Sequence, residues 1–275
     1  MLKLAWKQYL VVCVSLGVVL LAAIPAEAQY GRRLSNRATG ENYNVEITGA
    51  LWDPTPSIFI TSESIRGIQG TRIDFVEDLG IEKKTFRQLR VVLRPAEKHK
   101  FRFEYTPIKY EANSVLKRTI VFNGLDYLIS LPVETEVMWR AFRFGYEYDF
   151  VYRERGFVGL VLEAKYTDVK AQLVSAINDE FVHARAPIPA VGIIGRGYVA
   201  PNISITSEFT FFKLPDIGED YGGRYFDFDL YGTVNFNDHV GASAGYRSFD
   251  VNYLVERDSG QMTLKGLYFG GVVRF

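Results

Sequence analysis

The stretch "AFRFGYEYDFVY", Ala141 to Tyr152, decides how the chain folds. Phe142, Phe144, Tyr146, Tyr148, Phe150 and Tyr152 take every second place, with Arg143, Gly145, Glu147 and Asp149 between them. Period two sends successive side chains to opposite faces, so this is an extended strand with one aromatic and one ionic face. "RYFDFDLYGTVNF" (Arg224 to Phe236) repeats the pattern, Phe226, Phe228, Leu230, Val234 and Phe236 alternating with Asp227, Asp229, Tyr231, Thr233 and Asn235. "FRFEY" from Phe101, "NVEITGAL" from Asn44, "QLRVVLR" from Gln88 and "ISITSEFTFF" from Ile203 do the same. No window beyond the first 28 residues has helical spacing. The fold class is all-β.

Composition agrees. Aromatics make up 15% of the 275 residues, with 17 Tyr, 20 Phe and 24 Gly, a mixture that favours strands and turns. The 32 basic and 32 acidic residues cancel, so no bulk field points to nucleic acid or an anionic surface. The start reads as an export signal: Lys3 and Lys7, then the apolar run "YLVVCVSLGVVLLAAI" (Tyr9 to Ile24), then the small-x-small pattern "AEA" (Ala26 to Ala28). Residues 1–28 are therefore expected to be a signal peptide, 29–42 a periplasmic lead-in and 43–275 the barrel described below. Cys13 is an apolar filler inside the signal, and the mature chain has no disulfide. Without Lys3, Lys7 and Glu27 the mature chain carries 30 basic and 31 acidic residues, close to neutral.

The connections come in two kinds. "RPAEKHK" (94–100), "YRERG" (152–156), "VAPN" (199–202) and "NFNDH" (235–239) are short polar turns. Longer links lie near 53–85, 112–136, 176–187, 214–223 and 256–261. Successive turns of a meander fall on opposite ends, so the short ones share one end and the long ones the other, as in transmembrane barrels. About ten strands result: 43–52, 86–95, 100–112, 137–151, 156–170, 188–199, 202–213, 224–236, 239–254 and 262–275. Alternation alone is compatible with a soluble ligand-binding barrel whose apolar face looks inward. Crossings of about nine to eleven residues, aromatics near strand ends and the final strand "GLYFGGVVRF" (Gly266 to Phe275) favour the apolar face outward in lipid. A barrel in lipid has to close, since an open edge would leave backbone groups unsatisfied.

These features resemble the outer-membrane β-barrel proteins of Gram-negative bacteria, the broad group of outer-membrane-protein-A-like small barrels. "GTRIDFVEDLGI" (Gly70 to Ile81) and "APIPAVGIIGRGY" (Ala186 to Tyr198) are similar to segments of an uncharacterised branch of that group. The resemblance implies outer-membrane localisation, lipid and the barrel-assembly machinery as partners, and Phe275, Val273 and Phe269 as the terminal element which that machinery reads. It also implies that the soluble peptidoglycan-binding domain of some relatives is not appended after Phe275.

With the apolar face in lipid, the inward face carries eight cations: Arg90, Arg94, Arg102, Arg143, Lys165, Arg196, Arg247 and Arg274. It carries eight carboxylates: Glu46, Glu104, Glu147, Asp149, Glu163, Glu208, Asp227 and Asp229. A pore tuned for one ion would show excess charge of one sign. A balanced set is expected to form a lumen ion-pair network that closes the barrel. The alternative is a narrow porin-like channel for small polar solutes.

Chemistry finds little footing. His99 and His239 fall in short turns, and His183 falls in the outside link "INDEFVHARAP" with Asp179 and Glu180 near it, a pairing that could activate water in a loop-borne hydrolase. No serine stands beside His183 in a deacylase context. Asp74, Glu77, Asp78 and Glu82 cluster in "DFVEDLGIEKK" (74–84) without the alternating Asp/Asn and fixed Gly of a calcium loop. "GIIGRG" (192–197) and "FGG" (269–271) read as points of strand curvature rather than phosphate cradles. No catalytic residue, metal, cofactor or nucleic-acid partner is expected. The reading is a structural, surface-interacting barrel whose outer loops meet extracellular ligands.

Overall fold

The computed structural model describes residues 38–61, 70–122, 125–175, 179–217, 221–255 and 258–275, without the side chains of 179–186, 215–217, 221 and 255. The expected signal segment and most of the lead-in lie outside these residues. Ten long strands form one antiparallel sheet that closes on itself. They are β1 (Val45–Thr61), β3 (Phe86–Ala96), β4 (His99–Val115), β7 (Pro132–Arg153), β8 (Gly156–Ser175), β9 (Asp179–Ala200), β10 (Ile203–Ile217), β11 (Tyr221–Asn235), β12 (Val240–Val255) and β13 (Asp258–Arg274). The short β2 (Ile73–Asp74) adds to β1, and β5 (Ile120–Phe122) pairs with β6 (Leu125–Tyr127). Closure is made by β1 against β13, in register from Glu46↔Arg274 to Thr61↔Ser259. No edge is left there to meet lipid.

The orientation follows the strand pattern. Phe144 and Phe269 are 56% and 65% exposed on the outer wall, whereas Glu147 and Asp227 are 2% and 3% exposed inside. Tyr152 departs from the expected alternation. A register shift between Asp149 and Val151 puts Phe150 and Val151 both outward, and Tyr152 turns in to pack on Phe157, Val161 and Ile194. A bulge inserts one residue and reverses the phase after it.

The links near 176–187, 214–223 and 256–261 are shorter than expected, because the strands continue through them. His183 lies within β9 as the partner of Lys170, not in a loop, and its side chain is outside the described residues. At 22 residues, β7 climbs roughly 55 Å at a tilt near 40°, against a hydrocarbon layer of about 30 Å. The wall therefore projects well beyond the bilayer on the end opposite the short turns, the outer side of such barrels.

The amphipathic pattern inverts where the wall leaves the lipid. Along β7 the outward side chains run Glu134, Glu136, Met138, Arg140 and then Phe142, Phe144, Tyr146, Tyr148, Phe150. The inward ones run Val133, Val137, Trp139 and then Arg143, Glu147, Asp149. On β8 the outward series is Val158, Leu160, Leu162, Ala164, Tyr166, then Asp168, Lys170, Gln172. In lipid the outside must be apolar. In water it is the inside that must be, by the hydrophobic effect. The outer half consequently holds an apolar core of Trp52, Ile58, Ile108, Tyr110, Trp139, Phe249, Met262 and Leu264. Two insertions complete it from above: Phe75, Leu79 and Ile81 from 70–85, and Ile120, Phe122 and Tyr127 from β5–β6.

Pairing of β9 with β10 runs only from Ala200 to Val191, and Pro187 and Pro189 stand just beyond it on β9. Proline has no N–H to offer a neighbouring strand, which suits a place where the ladder ends. At Gly192 an added Cβ would lie 2.2 Å from the Phe209 carbonyl oxygen, so glycine permits the close approach of β9 to β10 there.

Candidate functional site: the filled lumen

The candidate site is the lumen itself, built by the inward positions of all ten long strands. Arg143 on β7 is its hub. One guanidinium nitrogen donates to Glu104 (3.1 Å) and Asp227 (3.0 Å), the other to Glu163 (2.9 Å) and Glu208 (3.3 Å), so four strands meet at one cation. Arg247 donates to Glu104 (2.6 Å) and Asp227 (2.7 Å). Arg90 donates to Glu104 at 3.1 Å and to Asp229 at 3.0 Å. Arg102 pairs with Glu208 and, at 3.3 Å, with Glu147. Lys100 reaches Glu147 (2.6 Å) and Asp149 (2.9 Å) with its ammonium over the Phe157 ring, and Lys165 reaches Glu163 (3.0 Å) and the Thr210 hydroxyl (2.9 Å). Tyr225 and Tyr268 donate their hydroxyls to Asp227 and Asp229.

A second group closes the short-turn mouth. Residues 38–44 fold across it. The Ala38 and Thr39 amides donate to Glu154 and Pro201 carbonyls, while the Thr39 carbonyl accepts from Asn235 and Tyr198. Glu41 is buried and accepts from Arg196 (2.9 Å) and Tyr198 (3.1 Å), and its backbone carbonyl accepts from Arg94 (2.7 Å). Arg274 donates to Glu46 (2.6 Å) and Asn235 (2.7 Å). Gly40 makes the turn at φ 83°, and a Cβ there would meet the Arg274 guanidinium at 2.6 Å. Glycine is the residue that turns this way in so little space.

All sixteen charged positions assigned inward from the alternation lie on the inner face, and Arg90, with 13% of its side chain exposed, is the least enclosed of the basic ones. Two members were missed. Lys100 sits where the expected turn 94–100 meets the expected strand 100–112, and because β4 starts at His99 its second residue points in. Glu41 was read as lead-in, where no alternation marks its direction. With them the described lumen holds nine cations (Arg90, Arg94, Lys100, Arg102, Arg143, Lys165, Arg196, Arg247, Arg274) and nine carboxylates (Glu41, Glu46, Glu104, Glu147, Asp149, Glu163, Glu208, Asp227, Asp229). Cavities in the lumen include one lined by Glu46, Arg90 and Arg274 and one lined by Trp52, Arg143 and Arg247, each of about 20 Å³, enough for little more than a water molecule.

The other residues singled out have structural surroundings. His99 Nδ1 lies 2.6 Å from the Tyr146 hydroxyl, and His239 Nδ1 lies 3.1 Å from the Arg274 carbonyl oxygen, both at the short-turn end. Among the described residues no group of three His, Cys, Asp or Glu is arranged to hold a metal ion. Asp74 instead accepts from the Val76 and Glu77 amides, and Asp78 from Arg118 at 2.8 and 2.6 Å. Those bonds hold the Asp78 carboxyl below its ordinary range. A lowered folded-state value means the contact contributes fully above pH about 4 and is lost as pH falls through the folded value. Asp78→Asn at neutral pH should therefore reproduce the backbone shifts that residues 74–81 of the native chain show only on acidification, read by 1H–15N spectra. A native transition centred at or above the ordinary aspartate value would exclude this.

Phe275, Val273 and Phe269 are 66%, 40% and 65% exposed on the outer wall, and Phe275 exchanges backbone hydrogen bonds with Val45. The terminal strand is thus paired to its last residue with an apolar comb facing lipid.

Neither a protein-family model nor a curated protein sequence matches the chain. Among solved structures, the outer-membrane protease OmpT of Escherichia coli superposes with a TM-score of 0.58 at 8% identity, over 88% of this chain and 99% of that one. The toluene transporter TodX of Pseudomonas putida (TM-score 0.36, 8% identity, 88% and 93% covered) and Ail of Yersinia pestis (TM-score 0.36, 10% identity, 84% and 99% covered) align more loosely. The OmpT likeness speaks to fold alone. With the closed sheet, the outward aromatic band and the enclosed charges, the chain has the architecture of a ten-stranded transmembrane β-barrel, the fold it shares with that outer-membrane protease.

Proposed function

We propose that this barrel is a closed, non-enzymatic element of the outer membrane that carries a tall outer wall for interactions at the cell surface. The observation that supports this reading is that, among the described residues, the lead-in lies across one mouth, nine charges of each sign pair inside and an apolar core lies above them. Ions crossing it would have to displace hydrogen-bonded charges and then a dry core, at a cost of several kcal/mol for each ion buried without a partner. The partners of this reading are outer-membrane lipid, extracellular ligands at the projecting wall, and an assembly machinery that reads Phe275, Val273 and Phe269.

Planar-bilayer recordings of the purified barrel should show no stable conductance steps. Large, stable steps would reverse the reading in favour of the narrow channel. A hydrolytic activity present in the native protein and lost in His183→Ala would reverse it in favour of a surface hydrolase.

A further inference from the structure

Where the charge lattice gives way to the apolar core, Trp52 and Trp139 line one internal cavity together with Glu104, Arg143, Lys165 and Arg247. Its volume of about 20 Å³ suits a single occupant the size of water. Three enclosed groups on its lining have no hydrogen-bond partner among the described residues: the Trp139 indole N–H, the Arg143 Nε–H and the Thr106 hydroxyl. The strand register gathers them. Arg143 lies opposite Glu104 and Trp139 opposite Ile108, so Thr106 stands between the two on the neighbouring strand, opposite Ala141. The Trp139 ring is held edge-on against Phe249 at 5.2 Å. Arg143 commits its terminal nitrogens to four carboxylates, which leaves Nε for the cavity.

The polarity of these groups chooses the occupant. An indole N–H and a guanidinium Nε–H can only donate. A water molecule taking both would need acceptors for its own two protons. The one carboxylate on the lining, Glu104, already accepts from Arg90, Arg143 and Arg247. An anion needs no acceptor. Three cations, Arg143, Lys165 and Arg247, line the cavity against that single carboxylate. The lumen as a whole is balanced, but charge–charge energies fall with distance, so the nearest groups decide. A buried charge is tolerated where it is both paired and hydrogen-bonded, and this lining offers both.

We infer that the cavity is a binding site for one halide ion, which accepts from Trp139 Nε1, Arg143 Nε and the Thr106 hydroxyl. Charge-assisted bonds of this kind are stronger than those between neutral groups. The small volume excludes sulfate and phosphate, so the site selects a monatomic anion. The ion enters as the barrel closes around it, and it ties the top of the ion-pair lattice to the first indole of the apolar core.

The test uses the full mature barrel, folded from urea into a neutral detergent in mixtures of sodium bromide and sodium sulfate at constant ionic strength. Trp52 and Trp139 are the only tryptophans after residue 28, so intrinsic fluorescence reports on this cavity alone. Bromide, a heavy-atom quencher, should quench that emission saturably, and sodium chloride in place of sulfate should relieve the quenching. Thr106→Val, which keeps the side chain's shape and both indoles, should weaken bromide binding about tenfold. Trp139→Phe, read on Trp52, should weaken it by at least as much. Ser204→Ala removes a buried unpartnered hydroxyl that does not line the cavity and should bind bromide as the native chain does. Retained gel mobility of the folded barrel shows that each variant is folded. The inference is overturned if quenching is absent or rises linearly without saturating, or if chloride does not relieve it. It is also overturned if Thr106→Val binds bromide normally or Ser204→Ala weakens it equally.

Discussion

Arg143→Ala should lower the unfolding free energy of the barrel by about 3–5 kcal/mol, measured by urea titration in lipid vesicles. The size of the effect comes from what is left behind. Glu104, Glu163, Glu208 and Asp227 converge on one guanidinium, and removing it leaves four enclosed carboxylates with one cation fewer among them. Arg247, Arg90 and Lys165 still touch Glu104, Asp227 and Glu163, so these carboxylates are not orphaned outright. Arg143→Lys should recover only part of the loss, because an ammonium lacks the planar fork that addresses both sides at once. A change below about 1 kcal/mol in Arg143→Ala would mean that water, not the ion pairs, fills the lumen.

The second large effect tests the inversion of the wall. Leu162→Arg should cost about 2–4 kcal/mol, since Leu162 lies midway along the lipid-facing series from Val158 to Tyr166 on β8. Gln172→Arg, ten residues farther along the same face, should change stability by less than about 0.5 kcal/mol because that stretch stands in water. Equal costs at the two sites would mean that the bilayer edge has been misplaced. The pair is informative because both side chains share one strand and one face, so only the surrounding medium differs.

These expectations separate two levels of information. Alternation through Phe142–Phe150 and Phe226–Phe236 identifies strands, the short and long links between them give their number, and crossing length, aromatics near strand ends and the final strand point the apolar face to lipid. Alternation also located sixteen of the eighteen charges now seen in the lumen, since a side chain's face in a strand is a local property with period two. Alternation does not say which charges touch. Arg143 meets Asp227 across 84 positions of sequence, and Arg274 meets Glu46 across 228.

Three features needed the folded chain. The bulge at Asp149–Val151 reverses the phase for Tyr152, and nothing in the sequence marks it. The lead-in seals the mouth through isolated hydrogen bonds to three strands, β3, β9 and β11, which have no periodic signature. The inversion was written in residues such as Glu136, Trp139 and Gln172, but only closure of the sheet shows that the outer segments remain strands around a dry core. The sequence by itself determined the strands, their number and their lipid-facing side, because those depend on neighbours along the chain. The tertiary structure decided how the lumen is filled and where the wall passes from lipid into water, because those depend on neighbours across the barrel.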